Sequence, residues 1–427
     1  MPQSIINCGR ETGKTAVEFA EQSFFSLIAR FRRSHGHSQG ITLTRSIAIL
    51  TVGRSDFSRY LSILRALQVR QDVSLRLLAT GGHFSPGYGE TWREIEAAGF
   101  TFEPGLESTL ACDTPVGVGK AIALATAALA QSFARKRPDL LVLLGDRYEM
   151  LSGANAALGF NLPVVHIHGG AVTEGAIDEL VRHALTKMSH YHLVSTEEYA
   201  RRVRQMGEEG WRVHSVGAPG LDELSDLVTF DRAGLASETG LDLSNGFLLL
   251  SFHPVTLELS DTERQIRAIL DVIASSSLPC VITYPNADPG SQTIIAAVDV
   301  HANAFPKKTK IFANAGLRLY TSLMAHATAM IGNSSSGLVE APSFRLPVVN
   351  IGTRQDGKIK PANVIDCDYT QNKIAKALQN AISRTFRNSL DGLINPYGDG
   401  NSGQRIADIL ASLPLDAKLL RKRFVDL

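Results

Sequence analysis

Seven polar segments, each directly after a short apolar run, carry the side chains from which a reaction could be built. Gly332-Asn333-Ser334-Ser335-Ser336-Gly337-Leu338-Val339-Glu340 follows Ala329–Ile331 and opens a helical segment. Small residues leave backbone N–H groups accessible, three hydroxyls add donors, and a helix N-terminus favours an anion. Together they predict a diphosphate cradle without a P-loop lysine, with Glu340 one or two turns on to accept from a ribose diol. The bland alternative is a serine N-cap. Phe247–Phe252 ends in His253-Pro254, where the proline biases His253 away from helix and an imidazole can titrate near neutrality or donate to an anion. Gly352-Thr353-Arg354-Gln355 adds a guanidinium, and Asn286 after Tyr284-Pro285 is a ligand contact or the start of a turn.

The first half offers a matching set. In Gly53-Arg54-Ser55-Asp56, Arg54 is either a phosphate contact or the ion-pair partner of Asp56. Leu140–Leu144 runs into Gly145-Asp146-Arg147, so Asp146 is an acid/base carboxylate, a helix N-cap, or both. His166 and His168, two apart on a strand, are expected on one face; no third ligand stands at fixed spacing, and no metal is expected. The glycine-rich loop after them carries Glu174 and Asp178, and the next helix carries Arg182, His183 and Lys187, either a cleft lining or a solvated stripe.

The elements that must position these groups read as a repeating strand, turn and helix. Apolar runs stand at Ile47–Val52, Leu75–Ala79, Leu140–Leu144, Val164–Ile167, Leu193–Ser195 and Val213–Val216, then at Phe247–Phe252, Val281–Tyr284, Lys310–Phe312, Ala329–Ile331, Val348–Ile351 and Val364–Ile365. Most are continuous rather than alternating, the pattern of parallel strands buried on both faces. Helices are expected between them at Phe57–Val69, Gly119–Arg135 and Thr262–Ala274. The series breaks at Gly217-Ala218-Pro219-Gly220. This predicts an α/β protein with two Rossmann-like, doubly wound parallel-sheet domains facing across a cleft, residues 45–216 and 217–427, after an N-terminal extension of residues 1–44. In such sheets ligands bind beyond the carboxyl ends of the strands.

Composition bounds the rest. The 427 residues allow two or three domains at about 150 residues each. Forty-three Lys+Arg against 42 Asp+Glu give a net charge of +1. That balance argues against nucleic acid or an anionic membrane as the main partner, since both need a concentrated basic surface. Cys8, Cys112, Cys280 and Cys367 form no close pair, which fits a reducing compartment. No uninterrupted apolar run approaches the ~18 residues of a membrane helix, and Glu18 and Glu21 before Phe24–Ala29 do not make a signal-peptide pattern. A cytoplasmic protein is expected. In Gly9–Thr15, three residues rather than four separate the glycines of an apparent phosphate loop.

Taken together, GRSDFS, GDRYE, HIHGGAVTEGAID with RHALTKMSH, FHPVT, TYPNADPG, GNSSSGLVEAPSF and NIGTRQ resemble the hydrolysing UDP-N-acetylglucosamine 2-epimerases, more the bacterial sialic and legionaminic acid branch than the animal one. The match runs from about Arg45 to Leu410. The resemblance implies a glycosyltransferase-B type fold, a UDP-sugar in the cleft, no cofactor, and a homodimer or homotetramer. It implies elimination of UDP to a 2-acetamidoglycal, then hydration with inversion at C2. Carried over, Arg54, His253, Ser334 and Ser335 look like phosphate contacts and Glu340 a ribose contact, with Ser336 in the wider substrate-binding set. Asp146 and Asp178 look like acid/base carboxylates, with His253 assisting the departure of UDP. Asp56, Arg147, Arg182, His183, Asn286 and Arg354 complete the expected binding set. Two departures stand out: some members carry Glu where His168 stands, and HIHGG members commonly carry Glu where this chain has Ala171. Glu174 or His168 itself is left for that role. The rival readings are a glycosyltransferase of the same architecture and a catalytically weak UDP-sugar-binding protein; VEAGLRT-like and PEE segments of the non-hydrolysing epimerases are not seen. A UDP-2,4-diacetamido-2,4,6-trideoxyglucose is the alternative substrate.

Overall fold

Each apolar run becomes a strand. In the computed structural model, which describes residues 44–84, 90–106, 108, 115–173, 177–224, 226–285 and 290–426, they are β1 (Arg45–Thr51), β2 (Val73–Ala79), β3 (Leu140–Leu144), β4 (Val164–Ile167), β5 (Tyr191–Val194), β6 (Val213–Ser215), β7 (Leu248–Ser251), β8 (Cys280–Thr283), β9 (Thr309–Phe312), β10 (Ala329–Gly332), β11 (Val348–Ile351) and β12 (Val364–Cys367). Glu174, Asn286 and the extension up to residue 43 lie outside the described residues. All five residues of β3 and all four of β11 are buried, as strands covered by helices on both faces require.

The strands form two parallel sheets, ordered β2-β1-β3-β4-β5-β6 and β12-β11-β10-β7-β8-β9. In each, the chain winds outward one way and then restarts on the other side of its first strand. The reversal opens a crevice at the carboxyl ends of β1 and β3 in the first half, and of β7 and β10 in the second. Arg54 and Asp146 follow the first pair; His253 and the serine turn follow the second. Topology alone therefore puts the expected chemistry at both switch points. Two such halves make the glycosyltransferase-B type architecture.

The helices that cover the sheets include α1 (Arg54–Gln68), α2 (Pro115–Arg135), α3 (Ile177–Met188), α4 (Thr262–Ser275), α5 (Gly316–His326) and α6 (Ser402–Ser412). Helix α1 buries Phe57, Tyr60, Ile63, Leu64 and Leu67, spaced as one helical face. Helix α2 is long and apolar enough to cross a membrane, with a mean hydropathy of 1.4 over an 18-residue window between Val116 and Arg135. Lys120, Thr126 and Gln131 divide the segment, so it contains no uninterrupted apolar run of that length. Its Ala125, Leu129 and Phe133, four apart, are buried, Leu129 and Phe133 in the cluster that contains Leu50, Leu141 and Leu143 of the first sheet.

The domain expectation needs one correction. Ile406, Ala407, Leu410 and Leu413 of α6 and its exit, with Leu419, pack into the first half's core rather than the second's. The Arg45 guanidinium donates to the Leu410 carbonyl at 2.7 Å. Close approach makes this possible: a Cβ on Gly403 would lie 2.6 Å from Ser62 Cβ of α1. The chain thus crosses between the halves twice, near Gly217 (φ +88°) and Gly398 (φ +148°), and the two crossing segments touch through Ala218 N–H and the Tyr397 carbonyl at 2.7 Å.

Candidate active site

On the wall formed by the second half, Asn333 gathers three strand ends. Its Oδ1 accepts from His253 N–H at 2.7 Å and its Nδ2 donates to the His253 carbonyl at 2.8 Å. Its own carbonyl accepts from Gln355 Nε2 at 2.7 Å and from Arg354 Nη1 at 3.2 Å. The exits of β7, β10 and β11 are therefore one assembly. Gly332 sits at φ +131°, and a side chain there would run into the Ser251 carbonyl of β7. Ser334 Oγ accepts from Ser336 N–H at 3.4 Å, which curls the serines into a turn. The helix behind that turn is only Ser336–Val339, followed by a 3₁₀ turn at Ala341–Phe344. Pro342 has no N–H to continue it. The expected helix dipole is thus one turn deep, and what the turn offers is mainly hydroxyls and backbone N–H groups.

His253 is 7% exposed, and burial, then the neighbouring Arg354 charge, lowers its pKa to about 3. It is neutral at pH 7, which corrects the expectation of titration near neutrality; a neutral imidazole still offers one N–H donor. Glu340 Oε2 is buried with no hydrogen-bond partner. Burial raises its pKa, and the Arg59 charge opposes that rise. An orphaned acceptor of this kind suits a ligand bearing hydroxyl donors.

The opposite wall centres on Arg182 of α3, which is 3% exposed. Its Nη2 donates to Asp146 Oδ2 and, at 2.8 Å, to Thr173 Oγ1; its Nη1 donates to Glu179 Oε2 and the Ala171 carbonyl, both at 3.0 Å. Glu179 also accepts from Thr173 N–H at 2.6 Å and from His183 Nε2 at 2.8 Å, so it staples the glycine-rich loop to α3. The two strand histidines do not form the expected pair. His166 is fully buried and donates Nε2–H to the Gly145 carbonyl at 2.8 Å, fixing the turn that presents Asp146. His168 leaves the strand at φ +67° and turns its Nδ1 to Ser195 Oγ at 2.6 Å. A non-glycine residue in that region stores on the order of 1–3 kcal/mol of strain. Burial, then the Arg59 charge, lowers the His168 pKa to about 3, so this ring too is neutral.

Arg59 of α1 joins the walls: its charge acts on His168 and Arg182 on one side and on Glu340 and Lys358 on the other. Asp178 faces the same Lys358. Other expected residues stand apart. Asp56 is 2% exposed and turned inward, accepting from Thr51 Oγ1 at 2.6 Å and Val52 N–H at 2.8 Å. It braces the start of α1 rather than facing the cleft. Arg147 pairs with Glu149 at 3.0 Å and His183 is tied to Glu179, whereas Arg54 is exposed at the N-terminus of α1, just beyond the exit of β1.

A family model described as UDP-N-acetylglucosamine 2-epimerase matches residues 65–411. The chain belongs to the UDP-N-acetylglucosamine 2-epimerase family. Among its relatives in that family, it is 36% identical to the GDP/UDP-N,N'-diacetylbacillosamine 2-epimerase (hydrolyzing) of Campylobacter jejuni, across 90% of this chain and 99% of the relative. It is 34% identical to the UDP-N,N'-diacetylbacillosamine 2-epimerase (hydrolyzing) of Legionella pneumophila, across 89% and 99%. In fold it is similar to the Neisseria meningitidis UDP-GlcNAc 2-epimerase crystallised with UDP-GlcNAc (TM-score 0.74, 15% identity, covering 86% of this chain and 99% of that one). The Methanocaldococcus jannaschii enzyme in complex with UDP-GlcNAc and UDP gives a TM-score of 0.70 at 20% identity, covering 86% and 99%.

In this family member the groups missed by sequence reasoning are Arg59, Asn333, Glu179, Lys358 and Tyr320. Tyr320 of α5 has its hydroxyl among Ser336, Ser251 and Ser334. Its one sequence signal is a helix leading into β10, the strand that ends at the serine turn. A direct check on the epimerase's cradle is Ser335→Ala, expected to weaken UDP binding about tenfold, the cost of one hydrogen bond to a charged group. Calorimetry with UDP reads this, and an unaltered affinity removes Ser335 from the diphosphate site.

Proposed function

We propose that this epimerase converts UDP-N,N'-diacetylbacillosamine, a 2,4-diacetamido sugar, to the free 2-epimer and UDP. The observation that carries the reading is the opposition of two walls across Arg59, a carboxylate–guanidinium assembly at Asp146 and Arg182 and a donor-lined turn beside the orphaned Glu340 carboxylate. The choice of sugar rests on the relatives, since the Campylobacter and Legionella enzymes act by name on diacetylbacillosamine, while the Neisseria meningitidis UDP-N-acetylglucosamine 2-epimerase is 29% identical. UDP-N-acetylglucosamine is the alternative.

In this reading a base on the sugar wall takes the C2 proton while the C1–O bond breaks, its electron pair passing to the β-phosphate oxygen. The products are a 2-acetamidoglycal and UDP. Water then adds its hydroxyl to C1, and a proton is delivered to the opposite face of C2. Asp146, Asp178, His168 and Glu174 are assigned to these proton transfers. Arg54, Arg354, His253 and Ser334–Ser336 hold the diphosphate, neutral His253 donating to the departing oxygen, and Glu340 takes the ribose diol. The described cysteines, Cys280 and Cys367, are free, which supports a cytoplasmic location. Exposed Val116, Leu124 and Leu180 on α2 and α3 support a homo-oligomer, testable by sedimentation.

The test is incubation of the purified protein with each UDP-sugar in D2O. Release of UDP without an acceptor, with a free 2-epimer deuterated at C2 and faster turnover of the diacetylbacillosamine substrate, is the expected result. UDP-sugar binding without UDP release would instead favour the binding-protein reading.

A further inference from the structure

Lys358 lies on the loop after β11, four residues beyond Arg354, and the contacts on both sides of it fix it at the junction of the two halves. On one side its backbone N–H approaches the Gln355 carbonyl at 3.4 Å, and Gln355 is itself anchored to Asn333 at the serine turn. On the other, the Ile359 carbonyl accepts from Tyr397 Oη at 2.8 Å, and Tyr397 meets Tyr199 of the first half, Oη to Oη, at 3.3 Å. Ile359 packs into the apolar cluster of Tyr199, Leu338 and Tyr397 that joins the halves. The charged groups facing Lys358 are Arg354 of its own loop, Arg182 and Asp178 of α3, and Arg59 of α1. Arg59 in turn faces Glu340 and His168. Four cations thus converge between the walls from three separate elements, against the carboxylates of Asp178 and Glu340. A terminal phosphate brings roughly 1.5 to 2 negative charges at pH 7.

We propose that Lys358 is a further catalytic residue, the ammonium that meets the negative charge developing on the departing β-phosphate. The inference rests on the reading of the site as one that expels UDP from a UDP-sugar. When the C1–O bond breaks, its electron pair stays on the phosphate oxygen; Lys358 offers N–H donors to that oxygen and keeps its proton, so the step balances without proton transfer from the lysine. Burial, then the charges of Arg354, Arg182 and Arg59, lower the Lys358 pKa to about 7, with Asp178 opposing. The ammonium is therefore present below that value and lost above it, and a bound phosphate dianion draws the proton back on.

Two variants and one probe, UDP, test this. Wild-type protein is expected to take up a proton on binding UDP at pH 8, read by calorimetry in buffers of different ionisation enthalpy. Lys358→Arg, always charged, is expected to bind UDP without that uptake, to turn over within about tenfold of wild type, and to move the alkaline fall of kcat/KM to higher pH. Lys358→Met is expected to lower kcat about 10²-fold, the usual loss on removing one donor to a developing oxyanion. Wild-type kcat in Lys358→Met overturns the proposal. So does proton uptake that persists in both variants, which would assign it to His253. If the wild type releases no UDP from either UDP-sugar while the uptake still depends on Lys358, the substrate reading fails and the contact between Lys358 and the diphosphate stands.

Discussion

Asp146→Asn is expected to lower kcat about 10³-fold, within the range that removal of a positioned acid or base produces, while UDP affinity stays within about twofold. The substitution is chosen to change charge and little else. An amide occupies the volume of a carboxylate, and its oxygen can still accept from Arg182 Nη2, so the Gly145 turn and the His166 contact that fixes it are left in place. Apart from Arg54, the groups assigned to the diphosphate are carried by the other half, at strand exits gathered by Asn333. Binding and chemistry should therefore separate: calorimetry with UDP unchanged, steady-state turnover lost, and deuterium incorporation at C2 lost with it. If turnover persists, the base on the sugar wall is another group, with Asp178 or His168 next in line. If UDP affinity falls as steeply as turnover, Asp146 supports the fold of the cleft rather than its chemistry.

The separation of roles expected here is legible in the sequence because strands end where apolar runs end. His253, Ser334 and Asp146 each stand one to three residues beyond a buried strand, and a parallel strand presents to the crevice the residues just past its carboxyl end. Positions on helices are not legible in the same way. Asp56 stands two residues into α1 and looks as available as Arg54; its carboxylate instead folds back on Thr51 and Val52, where it satisfies donors at the exit of β1. Arg59, on the next turn of the same helix, is the residue that reaches across the cleft, and no periodicity distinguishes the two.

Asn333, Glu179 and Lys358 escape for a different reason. Their value lies in contacts that sequence spacing does not reveal, such as that of Asn333 with His253, 80 residues away. Asparagine within a Gly-Asn-Ser-Ser-Ser run reads as turn chemistry until β7 is known to lie beside β10. The serine turn itself is legible, but the helix behind it is a single turn, because Pro342 stands too near for a longer one. The chain from α6 onward reads as part of the second half, since nothing in α6 marks which core its apolar face meets.

That return of the chain sets up the largest expected stability effect. Arg212, 1% exposed, ties the C-terminal segment to the first half: Nη1 donates to the carbonyls of Leu419 (2.7 Å) and, before β5, His190 (3.0 Å), and Nη2 to those of Lys418 (2.8 Å) and Arg421 (3.0 Å). Its Nε pairs with Glu209 at 2.7 Å. Beside it Lys422 reaches the buried Glu208 carboxylate at 2.9 Å, together with Lys187 and His192. Arg212→Met keeps most of the volume but strands several carbonyls and one carboxylate, and the expected loss is about 3–5 kcal/mol in unfolding free energy, as when a buried ion pair loses one partner. Urea unfolding should show this as a lower midpoint. Arg212→Lys should recover only part of it, because an ammonium lacks the planar fork that serves four carbonyls at once. Acid adds an independent check on the same strap. Burial raises the Glu208 pKa, but hydrogen bonds from His192, Lys187 and Lys422 outweigh it and bring the value to about 2. The unfolded value is about 4.3. Its contribution is present above that pH and is lost as pH falls toward 2, so Lys422→Met, which removes one of those donors, should narrow the stability difference between pH 7 and pH 3. A variant at Arg212 that unfolds at the wild-type urea midpoint would mean that the C-terminal segment holds to the first half through Ile406, Leu410 and Leu419 alone.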